Sequence, residues 1–438
     1  MHSSHAAPEP PRAKQYDVVR LADGVHAFVW RNPLENPIES NALFIINERD
    51  VVVVDTGIFA ETGHLMAAEV KKLTSLPVRY VVNTHWHDDH HGGNSAYRDL
   101  WPDAEVIAHR DTRIDIIERT YAARSKSIAG MTESFNKYQR WLATGKDDDG
   151  KALTDDRRVR VAEIVAFFRA DLPKFNALRE APPTITFADK LVLQRGTRTI
   201  ELRWLGLGNT RGDVVVYLPN ERIVATGDLL VLPIPFACGS YYEEWAITLA
   251  KLDQLDADIL LPGHGPIQRD RNALRAVQAL LTALVREVKA AVAAGATLDE
   301  TRKRVTLAEW KEKFAGDDKA KQTAFSSFVL QAAIERLWRQ ARGEVDPPPK
   351  HETQALARRY KHNAARSRAS ACVFELADSG STRTHIQPSS SSLPVTRDSS
   401  ECPRINRLQA NAQTMPRMIA HSSESVTVAI PVTSNGIR

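Results

Sequence analysis

The feature that most constrains this chain is a run of histidines and aspartates, His85-Trp86-His87-Asp88-Asp89-His90, followed by a further histidine and two glycines. Two polar residues before the run lies the apolar segment VRYVV, which is typical of a buried strand. Histidines at alternate positions of an extended backbone point to the same side, so His85 and His87 are placed to bind one metal ion. Imidazole nitrogen is a preferred zinc ligand, and carboxylate oxygen suits a metal ion that must also hold water.

The residues after this pair extend the predicted site. Asp89 and His90 lie on the turn that follows the strand, from which they can reach a second metal ion nearby, and the glycines allow a tight turn and the start of a helix. The alternative is a histidine-rich surface loop. Four histidines within seven residues, interleaved with aspartate and preceded by a buried strand, argue against that alternative.

The order of predicted elements is that of an α/β protein. Strand-like runs begin at Tyr16, residues 63–73 have helical spacing, and the next strand carries the histidine run at its carboxyl end. We predict a helical insertion at about 110–180. From Thr184 five strand-like segments follow one another closely, as in an antiparallel sheet, and residues 270–343 are predicted to be helical.

We predict three regions along the chain: a flexible leader at 1–15, one folded domain at 16–344, and a largely disordered tail at 345–438. The tail is rich in serine and arginine and shows no sustained periodicity. The chain has 58 basic and 54 acidic residues, a formal charge of +4 over 438 residues, which gives no argument for nucleic-acid binding. No CxxC spacing suggests a thiolate metal site.

The N-terminal residues lack the apolar core of a secretory signal, and no run of about 18 apolar residues occurs. We therefore expect a soluble protein without a membrane partner. Its compartment stays open: cytoplasmic as given, and periplasmic or secreted if a signal peptide preceded this numbering.

The histidine run resembles the HxHxDH signature of the metallo-β-lactamase superfamily. Three other motifs of that superfamily occur in order along the chain: Asp55-Thr56-Gly57, Thr226-Gly227-Asp228 and Pro262-Gly263-His264-Gly265. The resemblance covers roughly residues 16–300. It implies an αββα sandwich, in which two mixed β-sheets pack face to face with helices outside, and a site at one edge where strand-end loops converge.

The resemblance also implies a set of ligands and an activity. His85 and His87 would bind a first zinc ion, a second would be bound by Asp89, His90 and His264, and Asp228 would bridge the two. The implied activity is zinc-dependent hydrolysis of a small ester, lactone or thioester by metal-bound hydroxide, with Asp89 also orienting the water as the catalytic residue. Asp55 is expected either to hydrogen-bond a ligand or its loop, or to be a turn residue alone.

One position departs from the superfamily pattern. The third histidine of the first zinc site is expected in a Gly-His-x-x-Gly-Asp segment, but this chain has Gly208-Asn209-Thr210-Arg211-Gly212-Asp213. The carbonyl oxygen of Asn209 is a weaker zinc ligand than imidazole. We expect a two-metal centre with a weakened first position that includes Asn209. A single zinc ion in the second position, or a harder metal ion, are the alternatives.

Asp228 bears on the substrate as well. By resemblance, authentic zinc β-lactamases have cysteine or serine at this position, whereas glyoxalase II and lactonases have aspartate. β-Lactamase activity is therefore the alternative enzymatic function, and a metal-binding protein with little turnover because of Asn209 is the non-enzymatic alternative. We expect a small-molecule substrate and make no prediction of the oligomeric state. Tyr241 or Tyr242 could donate a hydrogen bond to a developing oxyanion, although packing is the more usual role.

Overall fold

Two β-sheets lie face to face at the centre of the fold. The computed structural model describes residues 15–31 and 39–344; most of the predicted leader and all of the predicted tail lie outside these ranges. The seven strands of the first sheet are β1 (Tyr16–Ala22), β2 (Val25–Trp30), β3 (Ala42–Ile46), β4 (Val51–Val54), β5 (Val78–Val82), β6 (Glu105–His109) and β7 (Ile185–Phe187), in that spatial order. The second sheet has the order β12-β11-β10-β9-β8, formed by β8 (Lys190–Arg195), β9 (Arg198–Trp204), β10 (Val214–Leu218), β11 (Ile223–Val231) and β12 (Ile259–His264).

The helices lie outside the two sheets, and some of them cover the outer faces of the sheets. They are α1 (Ala60–Leu73), α2 (Asp88–His91), α3 (Asn94–Leu100), α4 (Arg110–Asp115), α5 (Ala122–Thr144), α6 (Asp155–Asn176), α7 (Tyr242–Asp253), α8 (Asn272–Ala293), α9 (Leu298–Arg304), α10 (Ala308–Ala315), α11 (Lys319–Phe325) and α12 (Ala332–Ala341). Two segments, Ile116–Tyr121 and Ser326–Gln331, are π-helical. Helix α1 and helix α3 pack on the first sheet, while α7, α8 and the C-terminal helices pack on the second.

Strand β3 shows how the sequence specifies these layers. Because side chains alternate across a strand, Leu43 and Ile45 enter the apolar layer between the two sheets, whereas Phe44 enters the layer beneath α1. All three are fully buried. Strand β4, the sequence VVVV, is likewise buried on both faces, as expected of a strand that pairs in parallel with its neighbour β5.

The observed layers confirm the αββα architecture that the motifs imply. One strand differs from expectation: β7, the first of the five segments after Thr184, pairs in parallel with β6 and completes the first sheet. The other four form the second sheet, antiparallel except where β11 pairs with β12. Pairing with β6 places Ile185 and Phe187 against the apolar layer between the sheets. Burial of these two side chains, and not closeness to β8 along the chain, therefore decides which sheet β7 joins.

Between β6 and β7 the chain leaves the sandwich and forms two long antiparallel helices, α5 and α6. Their buried side chains, such as Met131, Ile164 and Phe168, form a small apolar cluster of their own. Among the described residues, no helix has the combination of length and apolar character needed to cross a membrane.

Candidate metal centre

The predicted ligands come from four separate segments that converge at one edge of the two sheets. His85 and His87 follow the carboxyl end of β5, and Asp89 and His90 lie in the short helix α2. Asp228 lies in β11 and His264 is the last residue of β12, which pairs in parallel with β11. All six side chains are buried.

The first group of ligand atoms lies around one oxygen of Asp228. Nε2 of His85 is 2.8 Å from Nδ1 of His87, and these nitrogens are 3.6 and 3.9 Å from Oδ2 of Asp228. Three ligand atoms, one each from His85, His90 and Asp228, all lie within 4.8 Å of one another. These separations are short enough for one ion to contact several of them at usual metal–ligand distances.

The second group lies around the other oxygen of the same carboxylate. Nε2 of His264 is 3.1 Å from Oδ2 of Asp89 and 3.4 Å from Oδ1 of Asp228. Nε2 of His90 is 3.5 Å from Oδ2 of Asp89 and 3.2 Å from Oδ1 of Asp228. One oxygen of Asp228 therefore faces each group, which is the arrangement that a bridging carboxylate requires.

The donor set fits a divalent cation. Nε2 of His90 and Oδ1 of Asp228 are buried and form no hydrogen bond with any residue in the described ranges. Buried polar atoms without a partner are costly, and a cation would satisfy both of these. Histidine nitrogen with carboxylate oxygen is a combination that suits zinc.

The electrostatics of the cluster lead to the same conclusion. Burial lowers the pKa of His90, but the negative charges of Asp228, Asp55 and Asp89 outweigh burial and raise that pKa well above its ordinary value. Burial raises the pKa of Asp228, but the neighbouring charges of His90, His264 and His85 hold it well below its ordinary value. The field inside the cluster thus favours positive charge at the position between the carboxylates.

The carboxylate of Asp55 orients one of the predicted ligands through a hydrogen bond. Its carboxylate accepts hydrogen bonds from the backbone N–H and the hydroxyl of Thr84, both at 2.8 Å, and Oδ2 lies 2.7 Å from Nδ1 of His90. A histidine held in this way keeps Nε2 available for a metal ion. Asp55 adopts a left-handed backbone conformation, with φ of 60°, which non-glycine residues rarely adopt. The hydrogen-bonding role considered for Asp55 from the sequence is therefore the one observed.

Other residues that position the predicted ligands were not predicted from the sequence. The Thr84 hydroxyl lies 3.0 Å from Nδ1 of His85 as well as donating to Asp55. Ser40 donates to the carbonyl of Asp89, and the Asn41 amide donates to the carbonyls of Pro262 and Gly265, on either side of His264. The one available signal was the place of Thr84 directly before the histidine run, since Ser40 and Asn41 lie far away along the chain.

Gly263 makes room for the bridging carboxylate. A Cβ at this position would lie 2.2 Å from Oδ1 of Asp228 and 2.8 Å from the backbone of Gly227. Any side chain would therefore displace the carboxylate, which explains the glycine in the PGHG segment.

Asn209 lies on the loop between β9 and β10 and contacts Phe236, whose ring lies beside that of His87. Its side-chain amide donates to the carbonyl of Phe236 at 2.6 Å, with the Ser240 hydroxyl at 3.4 Å. Its Oδ1 is buried and has no hydrogen-bond partner in the part of the chain that the structure describes. The amide orientation thus leaves the oxygen as the atom available to a ligand, and its role in binding a metal ion stays a prediction.

The two tyrosines and His91 have distinct environments. The hydroxyl of Tyr242 donates to the carbonyl of Ala237 within the core, a packing role. Tyr241 is half-buried and lies beneath the guanidinium of Arg336. Nε2 of His91 lies 3.1 Å from the carbonyl of Trp86, which directs that nitrogen to the backbone.

A family model for the metallo-beta-lactamase superfamily matches residues 36–264, slightly more than half of the chain. The chain belongs to the metallo-beta-lactamase superfamily. Members of this superfamily are metal-dependent hydrolases that typically bind divalent ions, often zinc.

Similar proteins include hydrolases of two kinds within this superfamily. The chain is 25% identical over 227 residues to a linear primary-alkylsulfatase from Pseudomonas sp. (strain ATCC 19151), a match that covers 49% of this chain and 39% of that enzyme. Its fold is similar to that of the stereoselective inverting sec-alkylsulfatase Pisa1 from Pseudomonas sp., with a TM-score of 0.53 at 15% identity over 76% of this chain and 52% of that one. A metallo-beta-lactamase from Pontibacter korlensis matches with a TM-score of 0.43 at 20% identity, covering 61% of this chain and 99% of that one.

Proposed function

We propose that this chain is a metal-dependent hydrolase that cleaves an ester-type bond of a small substrate, a carboxylic ester, lactone or thioester, at a two-metal centre. His85, His87 and, weakly, Asn209 would hold the first metal ion. Asp89, His90 and His264 would hold the second, and Asp228 would serve both. The observation that carries the proposal is the Asp228 carboxylate, whose two oxygens face two separate groups of buried ligand atoms.

Different residues of the chain would have different roles at such a site. A divalent ion bound here would lower the pKa of water and polarise the bond to be cleaved. Asp89, whose Oδ2 lies 3.1 Å from Nε2 of His264 and 3.5 Å from Nε2 of His90, would accept a hydrogen bond from the attacking water and fix its direction. Asp55 holds the ring of His90 in one orientation, and the buried side chain of Phe236 lies edge-on to the ring of His87, with 6.0 Å between ring centres.

A sulfate ester is the second candidate substrate. It is favoured by the 25% identity to a linear primary-alkylsulfatase, because sulfate esters are cleaved with the same need for a polarised oxygen and an activated water. β-Lactam hydrolysis ranks below both, because aspartate stands at position 228 where the resemblance leads one to expect cysteine or serine in a zinc β-lactamase.

The test is a substrate panel with metal content measured on the same preparation. The panel contains a carboxylic ester, a lactone, a thioester, an alkyl sulfate and a chromogenic β-lactam. We expect activity on a member of the ester group that is lost on chelation and regained with zinc, with close to two metal ions per chain at saturating zinc.

The variant Asp228→Asn keeps the shape of the bridging side chain and removes its charge, and is expected to lower kcat at least 100-fold. Asp258→Asn, at an exposed residue in the loop directly before β12, is the matched control. A protein that binds metal but hydrolyses no member of the panel would support the non-catalytic alternative, and hydrolysis of the β-lactam alone would reassign the enzyme as a β-lactamase.

A further inference from the structure

A group of arginines lies beside the metal centre, outside the set of predicted ligands. The ring of Trp86, which lies between the two histidines of the first group in sequence, is 4.7 Å from the ring of His87. The guanidinium of Arg119 lies over that indole, 5.5 Å from its centre. Arg119 is thus one aromatic ring away from a predicted metal ligand, and nearly half of its side chain is exposed.

Arg119 is held in place by a buried carboxylate. Asp115, which is 2% exposed, lies 2.9 Å from Nε of Arg119 and accepts two hydrogen bonds of 2.8 Å from Arg211. Arg211 belongs to the same loop as Asn209. A bidentate pair of this kind fixes geometry strongly, so Asp115 ties the loop of the first metal group to the segment that carries Arg119.

A third arginine approaches from the C-terminal helices. Arg336 in α12 lies over the ring of Tyr241, 5.5 Å from its centre, and the backbone N–H of Tyr241 donates to Gly208 at the start of the Asn209 loop. Burial raises the pKa of Tyr241 and the charge of Asp115 adds to that increase, while the positive charges of Arg336, Arg211 and Arg119 oppose it. Tyr241 thus lies under Arg336 and is hydrogen-bonded through its backbone to the loop that carries Asn209 and Arg211.

The carboxylates near these three arginines do not neutralise all of their positive charge. Asp115 neutralises one of the three arginines, and Asp111, which also acts on Arg211, lies beside Arg110. Glu335, the nearest acidic residue to Arg336 in sequence, pairs with Arg302 and Arg339. No carboxylate of residues 15–31 or 39–344 forms an ion pair with Arg336, and the hydroxyl of Tyr241 has no hydrogen-bond partner there.

The backbone supports a functional role for the same segment. Arg119 lies in the π-helical segment Ile116–Tyr121, and π-helical turns are rare and occur frequently at functional sites. The second π-helical segment, Ser326–Gln331, carries Phe328, which packs on Phe236 beside His87. Two such segments therefore flank the metal centre from outside the sandwich.

We propose that Arg119, Arg336 and the hydroxyl of Tyr241 bind an anionic oxygen group of the substrate, a carboxylate, phosphate or sulfate, while its scissile bond lies at the metal centre. The Asp115–Arg211 pair positions Arg119. This inference rests on the proposed hydrolytic function and narrows its substrate class. Arginine suits the role because its planar fork of donors matches such groups and stays charged at all relevant pH values.

The test compares matched substrates on single variants. 4-Nitrophenyl acetate is neutral, the 4-nitrophenyl monoester of succinate carries a carboxylate away from the scissile bond, and 4-nitrophenyl sulfate carries the anion on that bond. We expect Arg119→Met and Arg336→Met each to raise KM for an anionic substrate about tenfold while leaving kcat/KM for the acetate within about twofold. Arg119→Lys and Arg336→Lys should retain part of the preference, because they keep the charge.

Arg275→Met is the control, since this exposed arginine pairs with Asp253 on a different face. The inference is overturned if neutral and anionic esters lose activity equally, or if neither variant changes the anionic KM. Comparing the succinate monoester with the sulfate ester shows whether the site binds an anion distant from the cleaved bond or an anion on that bond.

A binding measurement separates this inference from the proposed function. Titration calorimetry of sodium succinate and of sodium sulfate into the protein requires no turnover. Saturable binding that both Met variants weaken about tenfold supports the anion site even if every ester is left uncleaved, in which case the hydrolytic assignment alone fails. Binding that is equal in wild type and in both Met variants overturns the anion site even if the neutral ester is hydrolysed.

Discussion

The carboxylate of Asp55 lies 2.7 Å from Nδ1 of His90, and the same carboxylate holds the backbone and hydroxyl of Thr84. One side chain thus fixes both the strand end that carries the histidine run and the ring of a predicted ligand. Because Nδ1 of His90 donates to Asp55, Nε2 keeps its lone pair for a metal ion.

This arrangement predicts the effect of Asp55→Asn. Asparagine tolerates the left-handed backbone at this position, so the fold is retained. If the oxygen of the new asparagine still accepts the hydrogen bond from Thr84, its NH2 group faces Nδ1 of His90. Nδ1 must then accept a hydrogen bond, so the ring proton moves to Nε2. We expect affinity for the second metal ion to fall about 10- to 100-fold in competition with a chromophoric chelator. Asp103→Asn, in an exposed turn, is the control, and an unchanged affinity would show that Asp55 does not act through His90.

The first metal position is tested by Asn209→His. The new imidazole would replace a weak amide oxygen by a strong ligand, and we expect the first metal ion to bind at least about tenfold more tightly. Direct titration with zinc, followed calorimetrically, measures both affinity and stoichiometry. Asn176→His, at the exposed end of α6, controls for an added surface histidine. If stoichiometry and affinity both stay the same, Asn209 lies outside the coordination shell.

Close packing at Gly263 predicts a different kind of loss. In Gly263→Ala the added methyl group must displace the carboxylate of Asp228, so we expect activity to fall at least about 100-fold and the free energy of unfolding to fall by about 1–3 kcal/mol. Gly130→Ala in α5 is the matched control, because its Cβ meets nothing within 4 Å. A helical alanine there should stabilise the protein by about 0.5–1 kcal/mol. Full activity of the Gly263 variant would contradict the observed packing.

Glu39 predicts a pH dependence of stability. Burial raises its pKa from 4.5 to about 7, partly offset by hydrogen bonds from Thr62 and the backbone of Ile58, and the charge of Asp89 raises it further. The group therefore takes up a proton on folding between pH 4.5 and 7, and stability falls as pH rises through that window. The loss is at most about 3 kcal/mol, at 1.36 kcal/mol per pKa unit.

Glu39→Gln should remove this contribution. In denaturant unfolding with chelator present, the variant is expected to gain stability relative to wild type as pH rises from 4.5 to 7. Glu61→Gln, exposed in the first turn of α1, should show no such trend. Parallel curves for wild type and Glu39→Gln would rule out the raised pKa.

The extent of the catalytic unit is also testable. We propose that residues 16–344 form the hydrolase domain, so a protein truncated after Glu344 should keep its unfolding midpoint and activity. Truncation after Gly316 removes Phe325, Val329 and Leu337, which are buried against α8 and its neighbours, and should be severely destabilising. Unfolding of the longer truncated protein would show that the chain beyond Glu344 contributes to the domain.

Local sequence was enough to predict that the side chains of the histidine run lie together, because these residues are contiguous. The strand VRYVV and the alternation of His85 with His87 specify direction and spacing by themselves. Asp228 and His264 are 138 and 174 residues from His90, so only the resemblance of their motifs connected them to it. Their convergence depends on the parallel pairing of β11 with β12, which no local pattern specifies.

The supporting residues were harder to predict for a related reason. Ser40 and Asn41 hold the loops of Asp89 and His264 through side-chain hydrogen bonds to backbone carbonyls, a role with no signature in residue type or spacing. Arg336 reaches Tyr241 across about a hundred residues. Helical periodicity shows that α12 has an apolar face but not which part of the fold that face covers.

The helical pair α5 and α6 buries its apolar side chains mainly within itself, and it meets the sandwich at two roots, one near Arg119 and the other where Phe175 packs on Phe59. Substitutions along the length of the pair should therefore leave the predicted ligands undisturbed, whereas those at the first root act one aromatic ring away from His87. Exchanging the hairpin between relatives would test whether it contributes to the choice of substrate.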